Sequence, residues 1–510
     1  MSEAGLQFGD RFVPHAEFFG RVAKAATGFS SLGIRSEDSV AIMLRNDVSY
    51  LEATLGARMA GSFPVPINWH LKSEEVNYIL EDSDAKVLVI HSDLLYEMSE
   101  AIPEGVKVLE VQTPQLLIER FGISKGGASG FKGAEDWDTW VESHEPWSQA
   151  PRAETSSMIY TSGTTGKPKG VRRESATPEQ HQAALKVASR VLGMAPGAST
   201  VVPAPMYHSA PNAFSLFAMQ LGAFLVIQPR FDAEELLAII EKYKITCLQM
   251  VPTMFVRLLK LPDEVRAKYD LSSLEYVVHA AAPCPPQIKK AMIDWWGPII
   301  WEYYGSTEMG AVTHCSSEDA LKYPGTVGRA LEEATVKVLD EEGNEVPAGT
   351  IGNIYGQLDV STDFTYQKDD AKRRSIERNG MITSGDVGYF NEEGFLFLCD
   401  RANDMIISGG VNIYPAEIEG VLIDCPGVHD CAVFGIPDED FGEAIMAVIE
   451  LEEGAKLDAA EAQSYLEERL AHYKVPKTIE FQTDLPREDS GKLFKRKLRE
   501  PYWKDAGRNI

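Results

Sequence analysis

The stretch 160-YTSGTTGKPKG-170 brings together glycines, four Ser/Thr hydroxyls and two lysines within eleven residues. These are groups that grip a polyphosphate. Glycine lets the backbone approach closely and turn its N–H groups inward, hydroxyls donate further hydrogen bonds, and an ammonium adds a point charge. A Walker A loop needs G-x-x-x-x-G-K followed by Ser or Thr, whose hydroxyl holds magnesium. Here the run is Gly163-Thr164-Thr165-Gly166-Lys167-Pro168, with the wrong glycine spacing and proline where the hydroxyl belongs. An ordinary kinase or GTPase loop is therefore excluded. Taken alone, the stretch is equally compatible with a Gly/Ser/Thr-rich surface turn.

The elements around the loop sharpen this reading. SSMIY before it has strand character and GVRR after it is a further short segment. The next helix begins only at Thr177, an N-cap with Pro178 at the first helical position, and runs through EQHQAALKVASRVLG. The loop thus does not feed directly into a helix. From residue 14 to 320 short Val/Ile-rich runs (SVAIML, KVLVI, FLVI, LEYVVHAA) alternate with amphipathic segments such as DAEELLAIIEKY. That rhythm predicts covered, mostly parallel sheets in an α/β fold. After about residue 323, turn signals at Glu342-Gly343-Asn344 and Pro347-Ala348-Gly349 separate short alternating runs, as in a small antiparallel sheet or barrel. Beyond Asp400 the order helix, strand, strand, helix predicts a compact α+β module. Its basic end, with Lys495, Arg496, Lys497 and Arg499, reads mostly as a solvated face.

Composition narrows the partners. A chain of 510 residues carries about three structural units. A net charge of −27 argues against nucleic acid as a partner. No signal peptide and no apolar run of about 18 residues is visible, so a cytoplasmic location without a transmembrane segment is expected. The six cysteines lack CxxC or His-rich spacing and read as buried thiols in a reducing compartment, not as a zinc site.

YTSGTTGKPKG resembles the signature of the adenylate-forming superfamily, and six further motifs of that family follow in order. They are 205-PMYHSA-210, 279-HAAAPCPP-286, 303-YYGSTE-308, 383-TSGDVG-388, 400-DRANDMIISGGVNIYPAEIE-419 and 486-PREDSGKLFKRKLR-499. The resemblance covers nearly the whole chain. It implies a large N-terminal domain (1–400), with two α/β subdomains to about residue 322 and a β-barrel-like subdomain over about 323–400. A small mobile α+β domain (401–510) would follow. It also implies an AMP-forming acyl-CoA synthetase using ATP, Mg2+ and coenzyme A. A carboxylate is a poor acyl donor because its leaving group would be an oxide; joining it to AMP supplies a good leaving group as ATP is split to pyrophosphate.

By this resemblance Thr161, Ser162, Gly163, Thr164, Thr165, Gly166 and Lys169 would cradle the β- and γ-phosphates, with Lys167 simply exposed. Thr307 would bond the α-phosphate and Glu308 would help hold Mg2+, an ion bound by one or two carboxylates plus phosphate oxygens. Adenine would lie between the Ala281-Ala282-Pro283 backbone and the Tyr304 ring beside Gly305, and the ribose hydroxyls would meet Asp386 and Arg401. His208 would line the carboxylate site. Lys492 would reach the carboxylate and α-phosphate during adenylation, and Asn403 stands at the hinge where many relatives have Asp or Lys. Gly409 and Gly410 would line the CoA channel. The segment MYHSAPNAFSLFAMQLG contains no acid to pair an amine, and its Ala213, Phe214, Leu216, Phe217 and Met219 suit an apolar acyl group. A medium- or long-chain fatty acid is expected first. The alternatives are an aryl- or steroid-acid CoA ligase, or an adenylation enzyme loading a carrier protein. The assembly expected, if any, is a homodimer.

Overall fold

Val-, Ile- and Leu-rich runs need cover on both faces, and in this protein they build two sheets with parallel centres. The structure is a computed structural model that describes residues 4–124, 130–150, 152, 155–161, 168–401, 404–408, 411–438, 441–487 and 493–504. In one sheet Phe63–Pro66, Ser39–Met43, Ala85–His91, Lys107–Val111 and Glu135–Asp136 lie side by side, all parallel. A nine-stranded sheet has the order Arg329–Ala330, Gly310–Cys315, Ile300–Ser306, Tyr276–His279, Cys247–Met250, Ser199–Val202, Phe224–Ile227, Gly5–Phe8 and Arg11–Pro14. Its last two members precede the alternation legible from residue 14. Gly5–Phe8 runs parallel to Phe224–Ile227, a partner more than two hundred residues away.

The helix after the phosphate-loop motif starts where its cap requires. Thr177 Oγ1 accepts from the Gln180 N–H at 3.2 Å, and the Gln180 side chain accepts from the Thr177 N–H at 3.0 Å. This reciprocal pair satisfies two N–H groups at the start of Pro178–Leu192 and contributes about 1 kcal/mol.

Two smaller antiparallel arrangements complete the first four hundred residues. Ala334–Leu339, Gly352–Leu358, Asp386–Phe390 and Leu396–Arg401 belong to a six-stranded sheet. A separate three-stranded sheet orders Phe364–Tyr366, Lys169–Arg173 and Ile159–Thr161. The motif loop is therefore the connection of a hairpin whose second strand is held by a distant third.

The C-terminal module forms its own sheet from Val411–Ile413, Ile406–Ser408, Gly442–Leu451, Val428–Asp438 and Thr478–Phe481, with a core that includes Ile406, Ile418, Leu422, Val433 and Ile449. Its basic end departs from a solvated face. Lys495 pairs with Glu419 at 2.8 Å and Arg499 with Asp404 at 3.9 Å. The reason is packing: the helix Lys495–Trp503 lies on Val428–Asp438, and buried Trp503 donates Nε1–H to the Gly435 carbonyl at 2.9 Å. Lys497 remains exposed. All six cysteines are free thiols, four of them buried, with Cys284 and Cys399 partly exposed. No described helix is long and apolar enough to cross a membrane.

Candidate active site

In an open parallel sheet the loops leaving the carboxyl ends of the strands face one crevice. Three motif segments leave the nine-stranded sheet in this way. Ser199–Val202 leads to Pro205–His208, Tyr276–His279 leads to Ala280–Cys284, and Ile300–Ser306 leads to Thr307 and Glu308. In the last strand the pairing shifts between Tyr304 and Gly305. A Cβ on Gly305 would sit 1.9 Å from the Gly310 carbonyl oxygen, so only glycine allows this close approach.

The residues expected around a nucleoside meet here. Tyr304, 8% exposed, donates its hydroxyl to Asp386 Oδ2 at 2.7 Å, and Ser384 Oγ donates to the same oxygen at 2.7 Å. Asp386 stands directly across the ladder from Arg401. Ala281 takes a left-handed backbone, φ +74°, a conformation costing roughly 1–2 kcal/mol for a residue with a Cβ. Such strain, next to exposed Ala281 and Pro283 surfaces, is typical of a backbone shaped for a ligand. Below this loop His279 is fully buried, and desolvation together with the Lys289 charge holds its imidazole well under its ordinary range. Lys289 itself is buried against Glu302, two residues before Tyr304 in the strand.

Glu308 is held from two directions. Its Oε1 accepts from the Tyr366 hydroxyl at 3.1 Å and from Thr161 Oγ1 at 3.4 Å. Burial and the Glu308 charge push the Tyr366 phenol far above its usual range, so it stays a donor. The main-chain carbonyls of Thr307 and Glu308 each accept from Arg173 Nη2 at 2.7 Å. Lys169 lies 2.7 Å from Asp369 and 5.6 Å from the Tyr366 ring centre. That bond to Lys169 is the main cause of the lowered Asp369 pKa. The donor set suits a hard cation completed by ligand oxygens: one carboxylate, hydroxyls, and, among the described residues, no cluster of three or more His, Cys, Asp or Glu side chains that could hold a metal alone.

His208 occupies the N-cap position of Ser209–Gln220, its ring 4.3 Å from that of Tyr207. A buried polar frame sets this turn. Asn46 donates to the Ala204 carbonyl at 2.9 Å and accepts from the Met206 N–H at 2.8 Å. Tyr50 donates to the Met206 carbonyl at 2.6 Å and accepts from Asn212 Nδ2 at 2.8 Å. Phe214, Leu216, Phe217 and Met219, expected to suit an acyl group, are buried in the main core, whereas Ala213 is exposed.

The structure thus joins Thr161 with Glu308, and Tyr304 with Asp386, and sets Arg401 opposite Asp386. Ser162, Gly163, Thr164, Thr165, Gly166, Asn403, Gly409, Gly410 and Lys492, with the Arg401 side chain, lie outside the described residues. Sequence reasoning missed Arg173, Tyr366 and Asp369. Only Asp369 left a signal, as the N-cap of Asp370–Ser375, where it accepts from the Lys372 N–H.

Comparison with known proteins supplies the family. Residues 5–357 match the AMP-binding enzyme family and residues 417–492 match the AMP-binding enzyme C-terminal domain. The chain is 31% identical to a feruloyl-CoA synthase of Amycolatopsis sp, covering 98% of this chain and 95% of that protein. It is 30% identical to the long-chain-fatty-acid–CoA ligase FadD13 of Mycobacterium tuberculosis, covering 96% and 93%. The crystal structure of ATP-bound MatB from Rhodopseudomonas palustris aligns with a TM-score of 0.83 at 26% identity, covering 99% of this chain and 96% of that one. The chain belongs to the AMP-binding enzyme family, within the adenylate-forming superfamily. Its class is that of the AMP-forming acid–CoA ligases, which use ATP, Mg2+ and CoA.

Proposed function

We propose that this enzyme activates a hydrophobic carboxylic acid, a medium- or long-chain fatty acid before an aromatic one, as its acyl-adenylate and passes the acyl group to CoA. The observation that carries the site reading is the convergence of Thr161, Glu308 and Tyr366 on one side with Tyr304 and Asp386 on the other, around loops leaving one end of the sheet. In this reading the acid's carboxylate oxygen attacks the α-phosphorus and pyrophosphate leaves. Thr307 bonds the α-phosphate, Asp386 and Arg401 accept and donate to the ribose hydroxyls, and His208 borders the carboxylate. Glu308 would hold Mg2+, which when bound neutralises charge on the phosphate oxygens. The motif loop 161–166 and Lys169 grip the departing pyrophosphate. The Asp369 partner keeps the Lys169 ammonium beside that loop. Residues 401–510 act as the mobile unit that brings Lys492 to the first step and Gly409 and Gly410 to the second, turning at Asn403.

The preference for an apolar acid without an amino group rests on the absence of Asp or Glu from 206-MYHSAPNAFSLFAMQLG-222 and on the likeness to a long-chain-fatty-acid–CoA ligase. An aryl acid is the second reading, favoured by the equal likeness to a feruloyl-CoA synthase. A panel of acetate, octanoate, palmitate, benzoate, 4-coumarate and a bile acid, read by thioester mass with CoA and pyrophosphate release without it, separates them. Strong preference for acetate would sink the hydrophobic reading; acyl-adenylate without thioester would point to a carrier protein. Lys492→Ala should lower adenylate formation by about 100- to 1,000-fold, the scale for removing a preorganised charge from a transition state, while supplied acyl-adenylate and CoA still give thioester. Equal loss of both half-reactions would refute a lysine used in the first alone.

A further inference from the structure

The strand Lys169–Arg173 leaves the motif loop and ends on an arginine that makes three side-chain hydrogen bonds to backbone carbonyls. Arg173 Nη1 donates to the Thr362 carbonyl at 2.8 Å, and Nη2 donates to the carbonyls of both Thr307 and Glu308 at 2.7 Å. The guanidinium also lies 5.7 Å from the Phe364 ring centre. Among the described residues it forms no ion pair within 4 Å. The two acids whose charge reaches it are hydrogen-bonded elsewhere: Asp363 holds Arg373 at 2.7 Å, and Glu308 faces Tyr366 and Thr161. A half-buried cation that spends its hydrogen bonds on carbonyls, with Glu308 and Asp363 attracting it only at longer range, calls for a role beyond stability.

Its placement suggests that role. Thr307 and Glu308 lie in the short turn between Ile300–Ser306 and Gly310–Cys315, where Met309 N–H donates to Ser306 Oγ at 3.1 Å. Arg173 fixes the backbone of both residues, while Tyr366 and Thr161 fix the Glu308 carboxylate. Arg173, Tyr366, Thr161 and Lys169 all belong to the three-stranded sheet that begins and ends the motif loop. One small sheet therefore sets the two strands on either side of the motif and the Thr307–Glu308 turn in a common frame. Without Arg173 they would be joined chiefly through a 3.4 Å Thr161–Glu308 contact and the Tyr366 hydroxyl.

We propose that Arg173 is a positioning residue for the ATP-splitting step. It holds the backbone of Thr307 and Glu308 in register with Thr161 and Lys169, the residues on either side of the phosphate-loop motif. The inference rests on the roles given above to Thr307 and Glu308. Because thioester formation follows departure of pyrophosphate, the frame matters for the first half-reaction and little for the second.

The test compares Arg173→Met, Arg173→Lys and Glu308→Gln in the full chain, using the best acid of the panel. Three quantities are read: the thermal shift produced by Mg2+ plus ATP alone, pyrophosphate release with the acid, and thioester from supplied acyl-adenylate and CoA. Arg173→Met should shrink the Mg2+–ATP shift and slow pyrophosphate release by about 100-fold, the cost of an ångström-scale misplacement, with thioester formation within about threefold of wild type. Arg173→Lys, able to reach fewer carbonyls, should recover part of the loss. Pyrophosphate release within about threefold in Arg173→Met, or equal loss of both half-reactions, would overturn the inference. Glu308→Gln separates the two layers. If it leaves Mg2+–ATP binding and pyrophosphate release intact, the role of Glu308 falls and the inference with it. If it is crippled while Arg173→Met is not, the inference alone falls.

Discussion

A single side chain can show what its surroundings demand, and His314 does so through pH. Its Nε2 meets the Tyr276 hydroxyl at 2.8 Å and its ring stacks 4.8 Å from Trp301. Burial, with the Arg190 charge adding to it, lowers its pKa from 6.5 to about 4. The folded value lies below the unfolded one, so between them the unfolded chain binds the extra proton. Stability tied to neutral His314 is fully present above about pH 6.5 and is lost as pH falls towards 4. His279 shifts in the same direction. The urea midpoint should therefore fall between pH 7 and pH 4.5, and His314→Gln should flatten part of that slope; an unchanged slope would show that His314 does not titrate as its burial requires. At the same scale Arg173 marks the limit of local reading. Its partners are carbonyls of residues 307, 308 and 362, and no spacing within GVRR could announce them.

At the scale of elements, the adenine-side loop stands on a joint between the helix Pro286–Trp296 and the strand Ile300–Ser306, made by buried Lys289 and Glu302. Burial alone would lower the Lys289 pKa, but the attraction of Glu302 outweighs it and keeps the ammonium charged. Glu302→Gln leaves that charge without its partner and should cost about 3–5 kcal/mol in chemical denaturation, while adding Lys289→Met should restore much of the loss. A double variant as unstable as the single one would refute a charge-driven effect. Elements were the most legible level of the sequence. The Thr177 cap, the Pro178 start and the alternation of apolar strands with amphipathic helices are local signals, and each corresponds to an observed element. What was not legible is pairing across distance. Phe364–Tyr366 joins Lys169–Arg173, bringing Tyr366 and Asp369 to the site, and the basic C-terminal helix buries Trp503 although its charges suggest solvent.

For the whole molecule, the C-terminal module touches the large part through polar contacts. Gln287 Nε2 donates to Asp424 Oδ1 at 2.6 Å, and Lys260 meets His429. Exposed contacts of this kind contribute about 1 kcal/mol or less each. Asp424→Ala should broaden the distance distribution between spin labels placed on the two parts while leaving the thermal midpoint unchanged; an unchanged distribution would show that this contact does not hold the module. The strand Gly5–Phe8, next to the edge of the nine-stranded sheet, has a consequence in time. It leaves the ribosome some two hundred residues before Phe224–Ile227, against which it lies. At about 5–20 residues per second that is a wait on the order of 10–40 s. During that interval Leu6 and Phe8, both buried in the finished sheet, pair only with Val13 and Arg11 of the neighbouring Arg11–Pro14, and the other side of their strand stays open.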